Sequence, residues 1–390
     1  MRTQVGIVGA GPAGLLLALM LRRRGIDCVI IEARDRATIE ATIRAGILEQ
    51  PTVDLMAELD VAGRMRREGV VHHGTILRFA GQNHRIDFAG LTGGRVATLY
   101  PQHEVLRDLI AAAHERGVPI HFSHQVKAVD AEAGSIHFVG EDGLERHLDC
   151  DIVVGADGSH GACRKAIPAE RRRDFLRIYP FCWFGILCEA PISSEELIYA
   201  RHDRGFALIS SRTPAVQRMY FQCAPDDRAE NWSEDRIWAE LQARMAGEDG
   251  FRLKEGRIFQ KNIVPMRSFV CEPMQHGRLF LAGDAAHAVP PTGAKGLNLA
   301  ASDVWLLDRA LGDFFAHGDR RGMDGYTSAA LKRVWRGQHF SWWMTSMLHR
   351  TEGASAFDER RQLAELDFVT GNTAAATALA ETYVGRPFGD

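Results

Sequence analysis

The sequence predicts an α/β protein. A doubly wound domain of parallel strands and helices carries an inserted antiparallel β-sheet domain and ends in a helical C-terminal segment. Three observations support this. Residues 4–32 read as strand, glycine-rich turn, helix and strand, with the apolar runs QVGIV and CVIIE on either side of the helical 15–24, the order and length of one β-α-β unit. Residues 181–268 change texture to short, aromatic-rich segments, the pattern of antiparallel strands. From about residue 325 the pattern is mostly helical.

In chain order, Gly25 closes the first helix and residues 104–116 make an amphipathic helix with Val105, Leu106, Leu109, Ile110 and Ala113 on one face. Short alternating strands follow near 119–139, and DIVVGADG at 151–158 reads as a buried strand ending in a turn. Segments 181–188, 197–201, 206–210 and 218–223 are the strands of the inserted sheet. Residues 278–282 return to a buried strand and 297–311 form a helix. No internal repeat or low-complexity linker divides the chain, so the domains are expected to share a broad interface.

With 390 residues, 46% hydrophobic and 25% charged, the chain can bury a large core, and its net charge of −3 points to neither a nucleic-acid nor a membrane partner. Seven scattered cysteines without a CxxC pair argue against a disulfide framework or zinc site and for a reducing cytoplasm. The longest apolar stretch, 15–21, is too short to cross a bilayer. A phosphate loop begins almost at the first residue, where a signal peptide would stand.

Gly9, Gly11 and Gly14 form GxGxxG between a strand and a helix. The first glycine permits the tight turn, the second lets the backbone approach a pyrophosphate, and the third lets helix and strand pack closely. Glu32 ends the second strand 18 residues after Gly14, where a carboxylate suits a ribose diol. Far downstream, Asp284 stands at a strand end, within reach of ribityl or ribose hydroxyls. Gly293, Gly296 and Asn298 then open a helix whose N–H groups can hold negative charge on a reduced flavin ring. His287, just after the GD turn, reads as structural. With Asp157 and Gly158 these motifs (GxGxxG, DG and GD) resemble the FAD-dependent (group A) aromatic hydroxylase family, which implies a Rossmann-like, glutathione-reductase-type FAD-binding domain.

Within that family the chain resembles the 4-hydroxybenzoate hydroxylases from end to end, through IRAGILEQ (43–50), LIYARHDRGFALISSR (197–212), EPMQHGRLFLAGDAAH (272–287), FSWWMTSMLHR (340–350) and ETYVGRPF (381–388). The resemblance implies roles. Arg44, Gln102, Asp157, Asp284, Gly296, Leu297 and Asn298 would join the glycines and Glu32 in holding FAD. Ser210, Arg212 and Tyr220 would hold the substrate carboxylate. Tyr199 would meet the substrate phenol and pass its proton to Tyr383, Pro291 would touch that phenol through its carbonyl, and Arg218 would lie between flavin and substrate. The expected layout is an FAD-binding domain in three parts (1–73, 99–180, 269–345), substrate-domain strands at 74–98, a substrate-binding sheet domain at 181–268 and a C-terminal helical segment at 346–390. The resemblance also implies a homodimer, and hydroxylation of 4-hydroxybenzoate to 3,4-dihydroxybenzoate with NAD(P)H and O2 through a flavin C4a-hydroperoxide.

The residue types suit this chemistry. A benzoate carboxylate matches the two-pronged guanidinium of Arg212, with hydroxyls filling the remaining lone pairs. Two tyrosines can relay a phenolic proton without placing a competing charge beside the ring. Read alone, Tyr199 and Tyr220 are half-buried strand tyrosines and Arg212 a solvated strand charge; beside Ser210 on the same strand face, Arg212 reads as a pocket group. Two alternatives remain at this stage: a hydroxylase of another aromatic acid, such as an aminobenzoate or dihydroxybenzoate, and a flavin-fold binding protein without redox turnover. No metal is expected, since the histidines lack spacing such as HExxH.

For the reductant, residues 33–42 set Asp35 and Glu40, which repel a 2′-phosphate, against Arg34 and Arg36, which attract one. The NADPH-preferring pattern has arginine and tyrosine where Ala33, Thr38 and Thr42 stand. NADH, NADPH or both are expected to serve. His160, Arg164 and Arg267 match positions that the resemblance associates with the nicotinamide dinucleotide, and 171–173 reads as a solvated arginine run.

Overall fold

A computed structural model describes residues 1–42 and 46–389. The expected α/β architecture is present: two eight-stranded sheets, one largely parallel and one largely antiparallel, with helices between and around them. In the first, the strands run in the order Gln275–His276, Leu279–Leu281, Glu145–Gly155, Arg2–Val8, Cys28–Ile31 and Ile120–His121. Leu279–Leu281 through Ile120–His121 are parallel neighbours. Gln125–Asp130 and Ser135–Val139 add an antiparallel meander on Glu145–Gly155. Helices Pro12–Arg23, Gln102–Glu115 and Gly296–His317 cover this sheet with apolar faces, Leu15, Leu109 and Leu307 among the fully buried residues.

The second sheet runs His287–Ala288, Arg257–Glu272, Arg173–Glu189, Val216–Cys223, Ala207–Thr213, Ile198–Ala200, Gly74–Phe79, Gln82–Asp87. Only Ile198–Ala200 and Gly74–Phe79 pair in parallel. The two longest strands, Arg173–Glu189 and Arg257–Glu272, cross the expected boundaries at 181 and 268, so continuous β-structure joins the sheet region to the dinucleotide fold. Their ladder breaks between Ile178 and Cys182, beside Pro180 and opposite Pro265, which have no N–H to donate. Ala97–Leu99 is not a strand of this sheet; it joins Ile47–Leu48 and Val70–His72 in a third sheet of three strands.

Both faces of the second sheet are buried, and strand alternation sorts the residues between them. Cys182, Phe184, Ile186, Ile209 and Phe221 face a core closed by helix Glu234–Met245. Phe181, Trp183, Tyr199, Leu208 and Tyr220 face an aromatic core shared with Phe340 and Tyr383 of helices Tyr326–Leu348 and Thr373–Val384. The helix Ala356–Gly371, started by a Ser355–Asp358 capping box, completes the helical tail. Among the described residues no helix is long and apolar enough to cross a membrane.

Candidate active site

The glycine-rich turn follows the first strand. Gly9 adopts φ +107°, and a Cβ there would stand 2.3 Å from the carbonyl oxygen of Ala156. A Cβ on Gly14 would fall 2.0 Å from the carbonyl oxygen of Gly9, whereas one on Gly11 meets only the Ala156 carbonyl at 4.0 Å. The turn is thus pressed against the next strand on one side and open where Gly11 lies. Glu32 accepts the Ala10 N–H at 2.7 Å and the Arg34 N–H at 2.9 Å, so its carboxylate braces the turn.

Asp157 accepts the Cys163 N–H through Oδ2 at 2.9 Å, while its buried Oδ1 has no hydrogen-bond partner among the described residues. Burial holds this carboxyl above its ordinary pKa. Asp284 sits partly exposed in the turn Gly283–Ala285. Behind it, the buried His287 Nε2 lies 2.7 Å from Asp303, whose same oxygen accepts the Gly283 N–H at 2.8 Å. Burial presses His287 toward neutrality and Asp303 more than offsets it, raising its pKa. This is a structural pair, in keeping with the sequence reading.

The downstream helix opens at Gly296; Gly293 lies outside it, in the short turn Pro291–Gly293, packed against Ser341. Leu299 donates to Lys295, so the N–H groups of Gly296, Leu297 and Asn298 precede the helix's own acceptors. A Cβ on Gly296 would meet nothing within 4 Å: there is open space before a positive helix end. The Asn298 side chain does not face that space. Its Oδ1 accepts from the Glu49 N–H and Thr52 Oγ1, both at 2.9 Å, and its Nδ2 donates to Ile47 and Ala294 carbonyls at 3.0 and 2.9 Å. Only its backbone N–H is left to meet a ring. Gln102 begins helix Gln102–Glu115 and is partly buried; Arg44 lies outside the described residues. The open glycine turn, the unpartnered Asp157 oxygen and the free helix start fit an extended dinucleotide with a flat anionic ring.

Sequence reasoning missed Lys295. Its buried ammonium bonds Glu49 at 2.7 Å and the Tyr383 carbonyl at 3.2 Å, and also meets the Thr382 carbonyl. Burial lowers its pKa and Glu49 opposes that. Arg333 reaches the other Glu49 oxygen at 3.2 Å. A lysine between two glycines carries no sequence signal for this clamp, which ties the helix start to the tail. His72 was also missed: it is buried, neither ring nitrogen has a hydrogen-bond partner among the described residues, and burial pushes it down to about 4.

In the second sheet, Ser210 pairs with Arg218 and Leu208 with Tyr220, so Ser210, Arg218 and Tyr220 share one face; Arg212 stands where the register shifts between Ser211 and Thr213, close to Arg218 and Tyr220. The Ser210 hydroxyl donates to the Arg218 carbonyl at 3.0 Å. Burial and the nearby Arg218 push the Arg212 guanidinium down to about 9, and burial lowers Arg218 as well. Arg218 lies 5.6 Å from the Tyr220 ring centre, and its buried Nη1 has no hydrogen-bond partner among the described residues. Two buried guanidinium groups side by side favour an anion between or beside them. Gly185, which the sequence reading passed over, makes room: a Cβ there would come within 2.6 Å of the Tyr220 ring. A lone glycine in an aromatic strand is the signal that could have found it.

Tyr199 stands on the neighbouring strand, opposite Leu208. Its hydroxyl is 2.7 Å from that of Tyr383, which comes from near the end of helix Thr373–Val384. Burial pushes Tyr199 up to about 12, and burial and Tyr199 raise Tyr383 further. Pro291 is partly exposed, and its carbonyl accepts the Ala294 N–H at 3.0 Å, leaving one lone pair.

Of the residues expected at the nicotinamide dinucleotide, His160 is exposed. Arg164 donates to Ser159 and Ala285 carbonyls at 2.7 and 3.0 Å and lies 4.4 Å over Phe269, two residues from the partly exposed Arg267 on the same strand. Among the described residues no hydrogen bond or ion pair joins the three. In the segment after the second strand, Arg36 bonds Glu40 at 2.6 Å and Arg34 approaches Glu32 at 3.3 Å. Asp35 caps helix Arg36–Ala41 through Thr38. The run 171–173 is largely exposed. Among the described residues no group of three or more His, Cys, Asp or Glu could hold a metal.

The model of the family described as FAD binding domain matches residues 2–341. The chain is 44% identical over its full length to the p-hydroxybenzoate hydroxylase of Acinetobacter baylyi, covering 96% of that protein. It is 25% identical to kynurenine 3-monooxygenase of Anopheles gambiae, over 78% of this chain and 66% of that one. Among solved structures, p-nitrophenol 4-monooxygenase of Pseudomonas putida superposes with a TM-score of 0.82 over 99% of both chains at 20% identity. A Diels-Alderase of pyrroindomycin biosynthesis superposes at 0.78 with 21% identity, over 98% of this chain and 80% of that one.

Proposed function

The chain belongs to the FAD-binding domain family and, within it, to the p-hydroxybenzoate hydroxylases, and on that premise we propose that it converts 4-hydroxybenzoate, O2, NAD(P)H and a proton to 3,4-dihydroxybenzoate, water and NAD(P)+. The observation that carries the reading is the pairing of a buried cationic end with a buried phenolic end on one sheet face. Arg212, Ser210 and Tyr220 form the first, and the 2.7 Å Tyr199–Tyr383 contact forms the second.

FAD, when bound, supplies the redox chemistry, taking two electrons from the dinucleotide and delivering one atom of O2 to the aromatic ring. The protein positions and polarises. The turn that Gly9 and Gly14 make possible, open at Gly11, would take the pyrophosphate, and Asp157 Oδ1 and Asp284 would offer acceptors to the ribityl and ribose hydroxyls of FAD. The N–H groups of Gly296, Leu297 and Asn298, left free by the helix, would hold the flavin ring. Arg212 takes the substrate carboxylate, with Tyr220, and Ser210 once its O–H turns from the Arg218 carbonyl, completing its hydrogen bonds and Arg218 adding positive charge beside the reacting ring. Tyr199 accepts the phenolic proton and hands its own to Tyr383, whose proton in turn passes on to solvent. Both tyrosines stay neutral near pH 7, so the substrate alone becomes the electron-rich phenolate. Pro291 offers its remaining carbonyl lone pair to the same oxygen.

The enzyme acts as a homodimer in a reducing cytoplasm, a reading supported by the family resemblance and by seven buried, unbridged cysteines. A monomeric mass by light scattering at micromolar concentration overturns the first part. The central test is NADH and NADPH oxidation by the purified yellow protein with 4-hydroxybenzoate, aminobenzoates and dihydroxybenzoates, with products identified. Product formation only from another acid overturns the substrate assignment.

A further inference from the structure

The aromatic wall behind Tyr220 is held by a histidine that the reaction itself does not use. The Trp183 indole N–H donates to His349 Nε2 at 2.6 Å, and His349 Nδ1 bonds the Thr345 carbonyl at 3.0 Å. Making both bonds at once requires the neutral, Nδ1-protonated imidazole. Burial, which pushes this ring down to about 3, favours the same form. The imidazole is stacked on Phe206 with centres 4.2 Å apart and on Phe181 at 4.7 Å.

Its main chain is fastened as well. Gln362 donates to the His349 carbonyl at 2.8 Å and accepts from Arg201 at 2.9 Å, two residues after Tyr199. Next in the chain, Arg350 exchanges backbone hydrogen bonds with the Gln222 side chain at 2.5 and 3.0 Å. His349 therefore sits where the Tyr199 strand, the Trp183 strand and the helical tail meet. Trp183 in turn lies 5.0 Å from Tyr220 at an interplanar angle of 44°.

We propose that His349 is a positioning residue for the acid end of the pocket: by accepting the Trp183 indole N–H it fixes the indole plane, and that plane fixes the ring of Tyr220. A buried indole N–H without an acceptor turns toward another partner, and Tyr220 is the ring it displaces. The pocket consequence rests on the proposed role of Tyr220, but the primary test does not.

That test uses substrate-free holoenzyme with 15N-labelled tryptophan, following the Trp183 indole N–H, assigned through Trp183→Phe. His349→Leu is expected to shift this resonance and speed its hydrogen exchange at least tenfold, while His349→Gln, which keeps an acceptor, retains most of the protection. The same His349→Leu protein is expected to bind 4-hydroxybenzoate about tenfold more weakly, and to have a smaller effect when Trp183 is already Phe. Unchanged indole protection in His349→Leu, or equal binding losses in the two backgrounds, overturns the proposal. If His349→Leu does not fold, loss of indole protection in His349→Gln overturns it and retention supports it. Failure of the wild type to bind 4-hydroxybenzoate overturns the substrate assignment alone, since the indole comparison still judges His349.

Discussion

The hydroxyls of Tyr199 and Tyr383 lie 2.7 Å apart although 184 residues separate them in the chain. One is set by a three-residue strand, the other by the last helix. Lys295 holds the second in place through the Tyr383 carbonyl at 3.2 Å. Tyr199→Phe is expected to leave 4-hydroxybenzoate binding within about threefold of wild type, because the carboxylate end dominates affinity. Product per NAD(P)H falls and hydrogen peroxide replaces it, because oxygen transfer needs the phenolate. Full coupling in this variant, measured by peroxide and product assays, removes Tyr199 from the relay.

The same tyrosine makes a pH prediction. Its pKa rises from an ordinary 10 to about 12 in the folded state. Below pH 10 both folded and unfolded chains keep the proton, and stability is unaffected. Between 10 and about 12 only the unfolded chain loses it, so stability falls as pH rises. The contribution is about 3 kcal/mol, since each pH unit between the two values is worth about 1.4 kcal/mol. Urea midpoints measured from pH 8 to 11.5 are expected to fall less steeply in Tyr199→Phe than in the wild type; equal slopes contradict it.

Arg212 carries the acid end. Arg212→Ala is expected to weaken 4-hydroxybenzoate binding by about 2–5 kcal/mol, the usual loss when one partner of a desolvated charge pair is removed. Titration of the flavin absorbance with substrate reads this directly. A dissociation constant within twofold of wild type places the carboxylate elsewhere.

Gly185 opposes Tyr220 across the Arg173–Glu189 and Val216–Cys223 pair. Gly185→Ala puts a methyl group within 2.6 Å of the Tyr220 ring, an overpacking of about 1–3 kcal/mol if the ring cannot move. The expected outcome is a raised KM for 4-hydroxybenzoate with a smaller change in kcat. Unaltered KM and thermal midpoint show that the strand absorbs the methyl without moving Tyr220.

The reductant prediction is sharpened by the ion pairs after the second strand. Arg36 is held by Glu40 and Arg34 approaches Glu32, so a 2′-phosphate has to compete with carboxylates already in place. NADH is expected to be used at a rate comparable with NADPH. A hundredfold preference needs about 3 kcal/mol, more than an exposed, screened arginine supplies. Measured kcat/KM values at fixed ionic strength that favour NADPH by more than a hundredfold refute this.

Local patterns determined much of this protein from sequence alone. The apolar runs and glycines of residues 4–32 specify a β-α-β unit because buried parallel strands and a tight phosphate turn need those residue types within a short span. Alternation along 207–211 and 216–223 sets Ser210, Arg218 and Tyr220 on one strand face because the strand period is two, but the register shift that places Arg212 beside them is a tertiary feature. Tertiary structure decided what long-range packing controls. The side chain of Asn298, a residue expected on the flavin side, is taken up by Ala294 in its own turn and by Ile47, Glu49 and Thr52, and no local pattern announces those last three partners some 250 residues away. The Lys295–Glu49 pair, the room that Gly185 leaves for Tyr220 and the bond from Trp183 to His349 likewise exist only once both sheets and the helical tail have closed on one core. There, most buried polar groups take whatever partner the fold provides, and the chain's own order does not say where that will be.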